Sequence, residues 1–418
     1  MKIEINKKSI CGLIVLFGCL LASIVFFHFH GMTIKQTLLY VIIALIAIVI
    51  HLSRLLVKNG YFLSLIGINK SDTRDNRYDY IRVLAVLLVI ITHTLQIAIS
   101  KGCITDGTLL KVYTCIYILA LACNSLYIMV SGALLLKWKD EKLSTFYLKR
   151  LPKIIFPMVI YYYFFLWQNM LLHEVSPLQV VVRLYSGQMP ETPHFWLLLV
   201  IISLYVVYPF LRYMLKELPY GMLTAMVIIA IIFMFFTTIT SVVIYQTVFL
   251  ADWIGVALIG YWLSLPQTKK YNIAIIIFGI ISGVIICYLI LNKDNYLPLV
   301  TNCSPFMTLF SMGLFACIFN CELFIKKNYL IQIISKLSYS LILIHWWTVN
   351  WLTFTYIDID AKLLAGIPQL RLSVLFTLVI SILISFVIDN FVVIVVNFVW
   401  DKIVDKILTL EQRKLTND

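Results

Sequence analysis

The chain has 418 residues, of which 62% are hydrophobic and only 13% are charged. This balance leaves too little polar material to cover a soluble protein, so the composition predicts an all-α polytopic membrane protein. The formal net charge is +13. In such a protein the basic residues mark one side of the membrane and attract anionic lipid, so nucleic-acid binding is not expected.

Apolar segments of spanning length recur along the whole chain, about twelve in all. They cover approximately residues 10–28, 34–57, 81–100, 109–136, 154–172, 194–211, 221–238, 243–265, 272–291, 301–320, 338–355 and 372–400. If both termini are cytoplasmic, 26 of the 33 lysines and arginines fall on the cytoplasmic side and 7 on the other. This split favours an even number of spans in a cell membrane, with that orientation.

The third apolar segment carries three ionisable residues, Asp79, Arg82 and His93. The eleven residues from Arg82 to His93 come within about 20° of three helical turns and rise about 16 Å, so both residues share a face. Asp79 joins that face one turn before Arg82. Ionisable groups at membrane depth are costly and usually functional, so this face is the first candidate site.

The segment 137–153 carries six basic residues in a short loop that the topology places in the cytoplasm. One interpretation is a positive-inside anchor. The other is a docking site for a phosphorylated cytosolic metabolite, because Arg150 and Lys153 lie one turn apart at the start of the next helix. Nine cysteines show no CxxC or metal-ligand spacing, so no metal site is expected. Asp389 is a further intramembrane acid, which needs polar neighbours.

Five motifs in order resemble those of the acyltransferase-3 family of integral-membrane acyltransferases. They are Arg82-x10-His93 after an aspartate, Leu126-Tyr-Ile-Met-Val-Ser131-Gly132, Lys149-Arg150-x-x-Lys153, His194-Phe-Trp196-Leu, and Leu337-Ser338-Tyr339 with His345 six residues later. The resemblance extends over residues 75–400 and implies a core of ten spanning helices. Residues 1–60 would then add two N-terminal helices, and residues 401–418 would form a cytoplasmic tail.

The resemblance also implies roles for particular residues. His93 would be the essential histidine, Arg82 its motif partner, and Asp79 the third member of the catalytic group. Arg150 and Lys153 would correspond to a paired-arginine motif that binds the acyl donor. Lysine at the second position keeps the charge but loses bidentate phosphate recognition. Ser131 and Gly132 match a Phe-Phe-x-x-Ser-Gly type segment that we also expect to bind the donor, with Leu126 and Tyr127 in place of the aromatic pair.

The expected reaction moves an acyl group, commonly acetyl, from acyl-coenzyme A to a hydroxyl of a cell-envelope glycan or lipid-linked sugar. Acyl-coenzyme A would be a substrate, and no permanently bound cofactor is expected. His93 would act as general base, or as a nucleophile that carries the acyl group as an acyl-imidazole. His194 and Trp196 are expected at the acceptor's entrance, and Ser338, Tyr339 and His345 along the acceptor-binding cavity.

Two other classes of function fit parts of the same pattern. An exporter of a polysaccharide or lipid-linked precursor would share the helices, basic inner loops and polar midplane. Transporters usually show paired helices interrupted by glycine or proline in two related halves. Glycine and proline are sparse in this chain, with 16 and 11 residues, which argues against an exporter. A membrane sensor would suit the two extra N-terminal helices, although no signalling domain is evident.

Overall fold

The computed structural model describes residues 7–29, 31–57, 61, 75–104, 106–240, 249–293, 296–300, 302–350 and 367–417. Within these residues the fold is helical and contains no strand, which confirms the all-α class.

Sixteen helices are numbered here in chain order. The first eight are α1 Lys7–Phe29, α2 Ile34–Val57, α3 Arg77–Ser100, α4 Gly107–Ala120, α5 Ala122–Leu135, α6 Leu143–Arg150, α7 Pro152–Gln168 and α8 Pro177–Ser186. The remainder are α9 Trp196–Lys216, α10 Tyr220–Thr240, α11 Trp253–Leu263, α12 Asn272–Asn292, α13 Pro305–Asn320, α14 Tyr329–Trp347, α15 Ile367–Ile388 and α16 Ile394–Asn417. A 3₁₀ turn, Pro193–Phe195, leads into α9, and a π-helical turn, Asp389–Val393, joins α15 to α16.

Nine helical segments of the described chain are long and apolar enough to cross a membrane. The three other predicted spans correspond to α1, whose apolar stretch is Ile14–His28, and to the shorter helices α7 and α11. In α11 the helix starts at Trp253, and residues 243–248 of the predicted span lie outside the described residues. The same holds for residues 351–355 of the eleventh predicted span. The tail predicted at 401–418 continues α16 as far as Asn417.

The predicted span 109–136 divides into two helices, α4 and α5, which meet at Leu121. The Leu121 N–H bonds to the carbonyl oxygens of Ile118 and Leu119, so the ladder tightens at this point. Helix α5 packs closely against α11 and α3.

Glycine permits the close approach of α5 and α11. A Cβ added at Gly132 would collide with the backbone oxygen of Ala257, and one added at Gly260 would collide with the backbone of Met129. Small residues at such crossings let membrane helices gain van der Waals contact without a hydrophobic driving force.

Two large apolar clusters divide the interior. One joins α3, α5, α9, α10, α11 and α13, and the other joins α1, α2, α7, α9, α14 and α15. Tyr127 contacts both clusters. Helices α3 and α14 pack against each other, and the candidate site lies along their contact.

Candidate active site

A cavity of about 600 Å³ opens between α3, α5, α7, α9 and α14. It is lined by Arg82, Tyr127, Val130, Ser131, Leu134, Leu135, Arg150, Lys153, Ile154, Ile201, Tyr205, Ser335, Lys336, Ser338, Tyr339 and Ile342. The structure thus brings Arg82, Ser131, Arg150, Lys153, Ser338 and Tyr339 into one space, although they come from separate parts of the sequence.

Four cationic side chains, those of Arg82, Arg150, Lys153 and Lys336, line this cavity. No carboxylate is among the lining residues of the described chain. We call the region around these four residues the cationic end. An anionic group that enters here would meet positive charge from four different helices or helix junctions.

Arg82 is held by an ion pair within its own helix. Its Nη1 lies 3.7 Å from Asp79 Oδ1, and the hydroxyl of Ser335 donates to the same oxygen over 2.6 Å. Asp79 is only 1% exposed, so its contacts are fixed by packing. Asp79 therefore contacts Arg82 and α14 at the cationic end, about 20 Å along the helix axis from His93.

Arg150 is positioned by two different contacts. Its Nη1 lies 2.8 Å from Glu141 Oε2, and its guanidinium carbon lies 4.4 Å from the centroid of the Phe146 ring. Glu141 also pairs with Arg212 at 3.6 Å, and Arg212 donates to the carbonyl oxygen of Leu135. These contacts fix the guanidinium of Arg150 at the rim of the cavity.

The Glu141 carboxylate lies outside the spanning segments. Burial acts to raise its pKa, but the hydrogen bond and charge of Arg150, together with Lys139 and Arg212, outweigh burial. The pKa of Glu141 therefore lies below its ordinary value of 4.5. The carboxylate stays charged at neutral pH and keeps its hold on Arg150.

Ile342 lies about 9 Å further along α14 than Lys336, so the lining residues Ile342, Tyr127 and Ile201 are assigned to an apolar end of the cavity opposite the cations. Between the two ends the Tyr208 hydroxyl donates to Ser131 Oγ over 3.0 Å, and the Tyr339 hydroxyl donates to the Ile154 carbonyl oxygen over 2.8 Å. The cavity therefore changes from cationic to polar and then apolar along its length.

Gly132, which we expected at the donor site, is absent from the cavity lining. It faces α11, and its lack of a side chain is accounted for by the close contact with Ala257. Its neighbour Ser131 does line the cavity.

Three histidines meet beyond the apolar end. The ring of His345 lies 5.0 Å from that of His93 and 5.1 Å from that of His194, centroid to centroid. His345 follows Ile342 by three residues on α14, so the cluster begins about 4.5 Å above the cavity lining along the helix axis. We call His93, His194 and His345 the histidine cluster.

Hydrogen bonds define the tautomers of all three rings. Nδ1 of His345 donates to the Ile342 carbonyl oxygen over 2.8 Å, and Nε2 of His194 donates to the Leu343 carbonyl oxygen over 3.0 Å. Nδ1 of His93 lies 2.9 Å from Gln96 Oε1, an acceptor, so this nitrogen carries the proton and Nε2 keeps a lone pair.

In His345 and His194 the second ring nitrogen, Nε2 and Nδ1 respectively, is buried without a hydrogen-bond partner among the described residues. Buried polar atoms normally find partners, so atoms like these indicate a place where a substrate group or water binds. Each ring of the cluster therefore offers a lone pair that can accept a proton.

Trp196 does not join the cluster, although it stands only two residues after His194. Its side chain is 40% exposed and its ring lies 5.8 Å from that of Trp253. The 3₁₀ turn Pro193–Phe195 directs His194 inward, where Trp346 stacks on it with centroids 5.9 Å apart. The acceptor-binding role expected for Trp196 stays a prediction.

Three residues of the site were missed by sequence reasoning. Lys336 lines the cationic end but belongs to none of the five motifs, since it precedes the last one by one residue. Glu141 stands inside the basic segment and pairs with Arg150. Trp346 packs edge-on against His93 at 5.1 Å. Lys336 and Trp346 are next in sequence to residues of the last motif, and this proximity is the signal by which they could have been found.

Within the described chain, no group of three His, Cys, Asp or Glu side chains is arranged to hold a metal ion. The profile of a family described as an acyltransferase domain matches residues 75–388. The chain belongs to the acyltransferase-3 family. This confirms the resemblance and makes the protein a multi-pass membrane acyltransferase. The chain matches no curated protein and no solved structure at a significant level.

The matched part of this acyltransferase begins two residues before α3 and ends at the last residue of α15. It contains every residue of the cationic end and of the histidine cluster. Helices α1 and α2 lie outside the match, and so does the π-helical turn that follows α15.

Proposed function

We propose that this acyltransferase moves an acyl group, with acetyl the expected one, from cytosolic acyl-coenzyme A to a hydroxyl of a cell-envelope glycan or lipid-linked sugar. The observation that carries the proposal is the cavity with four cations at one end and three histidines just beyond the other. The membrane would be the bacterial cytoplasmic membrane, with both termini inside.

The cationic end suits the phosphate groups of coenzyme A. Arginine recognises phosphate oxygens through charge-assisted, often bidentate, hydrogen bonds, and lysine adds a compact charge. Arg82 and Arg150 would take the first role, and Lys153 and Lys336 the second. Lipid headgroups also carry phosphate, so the enzyme needs a further feature to select its donor.

The length and polarity of the cavity supply that feature. From Arg82 to His93 the helix rises about 16 Å, and from Lys336 to His345 about 13 Å. A thioester on a flexible, moderately polar pantetheine arm would extend past Ser131 and Tyr339 toward the apolar end. The phosphates would remain among the cations.

The chemistry follows from the lone pairs of the histidine cluster. As the acceptor hydroxyl attacks the thioester carbonyl carbon, Nε2 of His93 would take its proton, and collapse of the tetrahedral intermediate would release the thiolate. The thiolate would then recover the proton and leave as coenzyme A. In the second route Nε2 attacks the carbonyl carbon, the C–S bond breaks and the coenzyme A thiolate leaves. The acceptor hydroxyl then attacks the acyl-imidazole, its proton passes to the thiolate, and neutral His93 is regenerated.

The test is transfer of radiolabelled acetyl from acetyl-coenzyme A into membranes that contain the wild-type protein or the His93→Ala variant at equal abundance. His173→Ala is the matched control, because His173 is exposed on a loop distant in sequence from the motifs. Wild type and control should incorporate label and His93→Ala should not. Equal incorporation in all three membranes would contradict the proposal and favour export of a precursor.

A further inference from the structure

Helix α2 carries a buried histidine that the proposed reaction does not use. His51 is fully buried, and its two ring nitrogens each lie 2.9 Å from an oxygen, Nδ1 from the Tyr61 hydroxyl and Nε2 from the Asn390 backbone carbonyl. A carbonyl only accepts, so Nε2 carries the proton and Nδ1 accepts from Tyr61. His51 therefore links the N-terminal helices to residue 390, far away in the sequence.

The Asn390 carbonyl belongs to the π-helical turn Asp389–Val393. A π turn interrupts the regular i→i+4 ladder and opens backbone carbonyls to other donors. Such turns are uncommon within long helices and occur frequently at functional sites. Helix α2 packs against this turn and against α16, so the hydrogen bond from His51 is part of a larger contact.

Asp389 is the first residue of the same turn. It accepts hydrogen bonds from the Ser340 hydroxyl over 2.7 Å and from the Tyr161 hydroxyl over 3.1 Å. This confirms the expectation that an intramembrane acid here needs polar neighbours. The π turn aims the carboxylate at α14, the helix that also lines the cavity.

Because Asp389 accepts from Ser340, its carboxylate lies about one helical turn from Lys336 on α14. Lys336 precedes Ser340 by four residues on α14, so both residues occupy the face that meets the π turn. Lys336 lines the cationic end of the cavity. A series of contacts therefore runs from α2 through the π turn to Ser340, one helical turn from Lys336 on α14.

We propose that the N-terminal helix pair positions Lys336 for the acyl donor, with His51 holding the π turn that places Asp389. The family match begins at residue 75 and leaves α2 outside it, so the N-terminal helix pair is an addition that acts on the family core's own cavity. His51 and Asp389 are positioning residues. Without the bond from His51, the turn would relax, Asp389 would move away from Lys336, and the ammonium group would lose its fixed place.

A histidine that only packs would give a different result. Loss of packing lowers the amount of folded protein but leaves the local surroundings of Lys336 unchanged in the molecules that fold. A glutamine at position 51 can donate through its amide nitrogen and accept through its oxygen, as His51 does. Rescue by glutamine therefore distinguishes hydrogen bonding by His51 from the effect of its side-chain volume on packing.

The first measurement is independent of catalysis. The purified full-length protein is treated with a small amine-reactive reagent, and modification of Lys336 is measured by mass spectrometry relative to Lys153, the other lysine of the cavity. We expect His51→Ala to raise the ratio about threefold, the scale of one modest ion-pair contribution. Asp389→Asn should give the same rise, and the double variant no further change, because both act through one series of contacts.

His51→Gln should return the ratio to the wild-type value. His28→Ala is the matched control, because His28 is exposed on the neighbouring helix α1, and it should leave the ratio unchanged. An unchanged ratio in His51→Ala would overturn the proposal, and so would a rise that His51→Gln fails to reverse.

The second measurement rests on the proposed function. In membranes, His51→Ala should raise the KM for acetyl-coenzyme A about three- to tenfold and leave kcat within about twofold, since only donor binding depends on Lys336. If the wild type transfers no acetyl group from this donor, the proposed function fails while the labelling ratio still decides the positioning role. If transfer occurs and the KM of His51→Ala is unchanged, the positioning role fails alone.

Discussion

The imidazole rings of His93 and His345 lie 5.0 Å apart, one on α3 and the other on α14. Each of these helices also carries a cation toward its start, Arg82 on α3 and Lys336 on α14. The two helices thus repeat one arrangement, a cation near one end and a histidine near the other. Two imidazolium ions at this distance in apolar surroundings would repel strongly, so the cluster holds one additional proton at most.

His345 is expected to affect turnover and not donor binding, because it contacts His93 and lies beyond the cationic end. The change His345→Ala should lower kcat about tenfold or more, because the loss of a proton-transfer partner has an effect of about this size. The KM for acyl-coenzyme A should stay nearly constant. Initial rates at varied donor concentration measure both constants. An equal rise in KM with unchanged kcat would assign His345 to donor binding instead.

Arg150 is expected to bind the donor. Replacing it with alanine removes a charge-assisted contact to phosphate and should raise the KM for acyl-coenzyme A about tenfold, equivalent to about 1.4 kcal/mol. The adjacent Lys149→Ala is the control, since Lys149 is exposed and does not line the cavity. Similar KM values for the two variants would show that the effect is only a loss of basic charge near the membrane.

The ion pair between Glu141 and Arg150 should depend on pH only under acidic conditions. Its pKa in the folded protein is below 4.5, so the pair contributes stability above the unfolded pKa and loses that contribution as the pH falls through the folded pKa. Between pH 5 and 8 the ion pair should therefore not titrate, because even the ordinary pKa of a glutamate, near 4.3, lies below this range.

The variant Glu141→Gln tests this assignment. It removes the carboxylate that competes with phosphate for Arg150, and the KM for acyl-coenzyme A should fall about two- to fivefold at low ionic strength. The control Glu217→Gln replaces an exposed acid whose lysine partner, Lys216, is its sequence neighbour. A higher KM in Glu141→Gln would show that Glu141 mainly orients Arg150 for the donor.

Gly132 should act through stability. Alanine there would force α5 away from the Ala257 backbone, and overpacking of this kind costs about 1–3 kcal/mol. Thermal unfolding in detergent should show a lower Tm for Gly132→Ala, with the donor KM of the remaining folded protein unchanged. Gly221→Ala is the control, since an added Cβ meets no atom within 4 Å at that glycine. A raised KM with normal Tm would place Gly132 at the donor site.

Local periodicity was sufficient for much of the fold. The length and polarity of each apolar segment predicted the spans, and Arg82 and His93 do lie in one helix, α3, for which the 3.6-residue repeat predicts a shared face. The break at Leu121 escaped notice because residues 109–136 are mostly apolar and contain no proline or glycine near position 121.

The arrangement of the site depended on contacts between helices, which periodicity does not describe. Lys336 looked like one basic residue of a cytoplasmic loop, whereas α14 begins at Tyr329 and carries it into the cavity wall. His194 and Trp196 looked like a pair, but the backbone turn between them sends their rings to different surroundings. Asp79 joined the Arg82 face as expected, and its contact with Ser335 on α14 appears only in the folded chain.

The apolar end of the cavity, which includes Ile342 and Tyr127, also bears on the passage of ions across the membrane. Ile342 is 4% exposed, and it follows the polar positions of α14 and precedes His345. A constriction of apolar side chains resists wetting and so opposes the passage of ions. If the charged end of the cavity faces the cytosol, as proposed, this apolar segment would oppose ion flow through the empty enzyme and so preserve the electrochemical gradient of the bilayer.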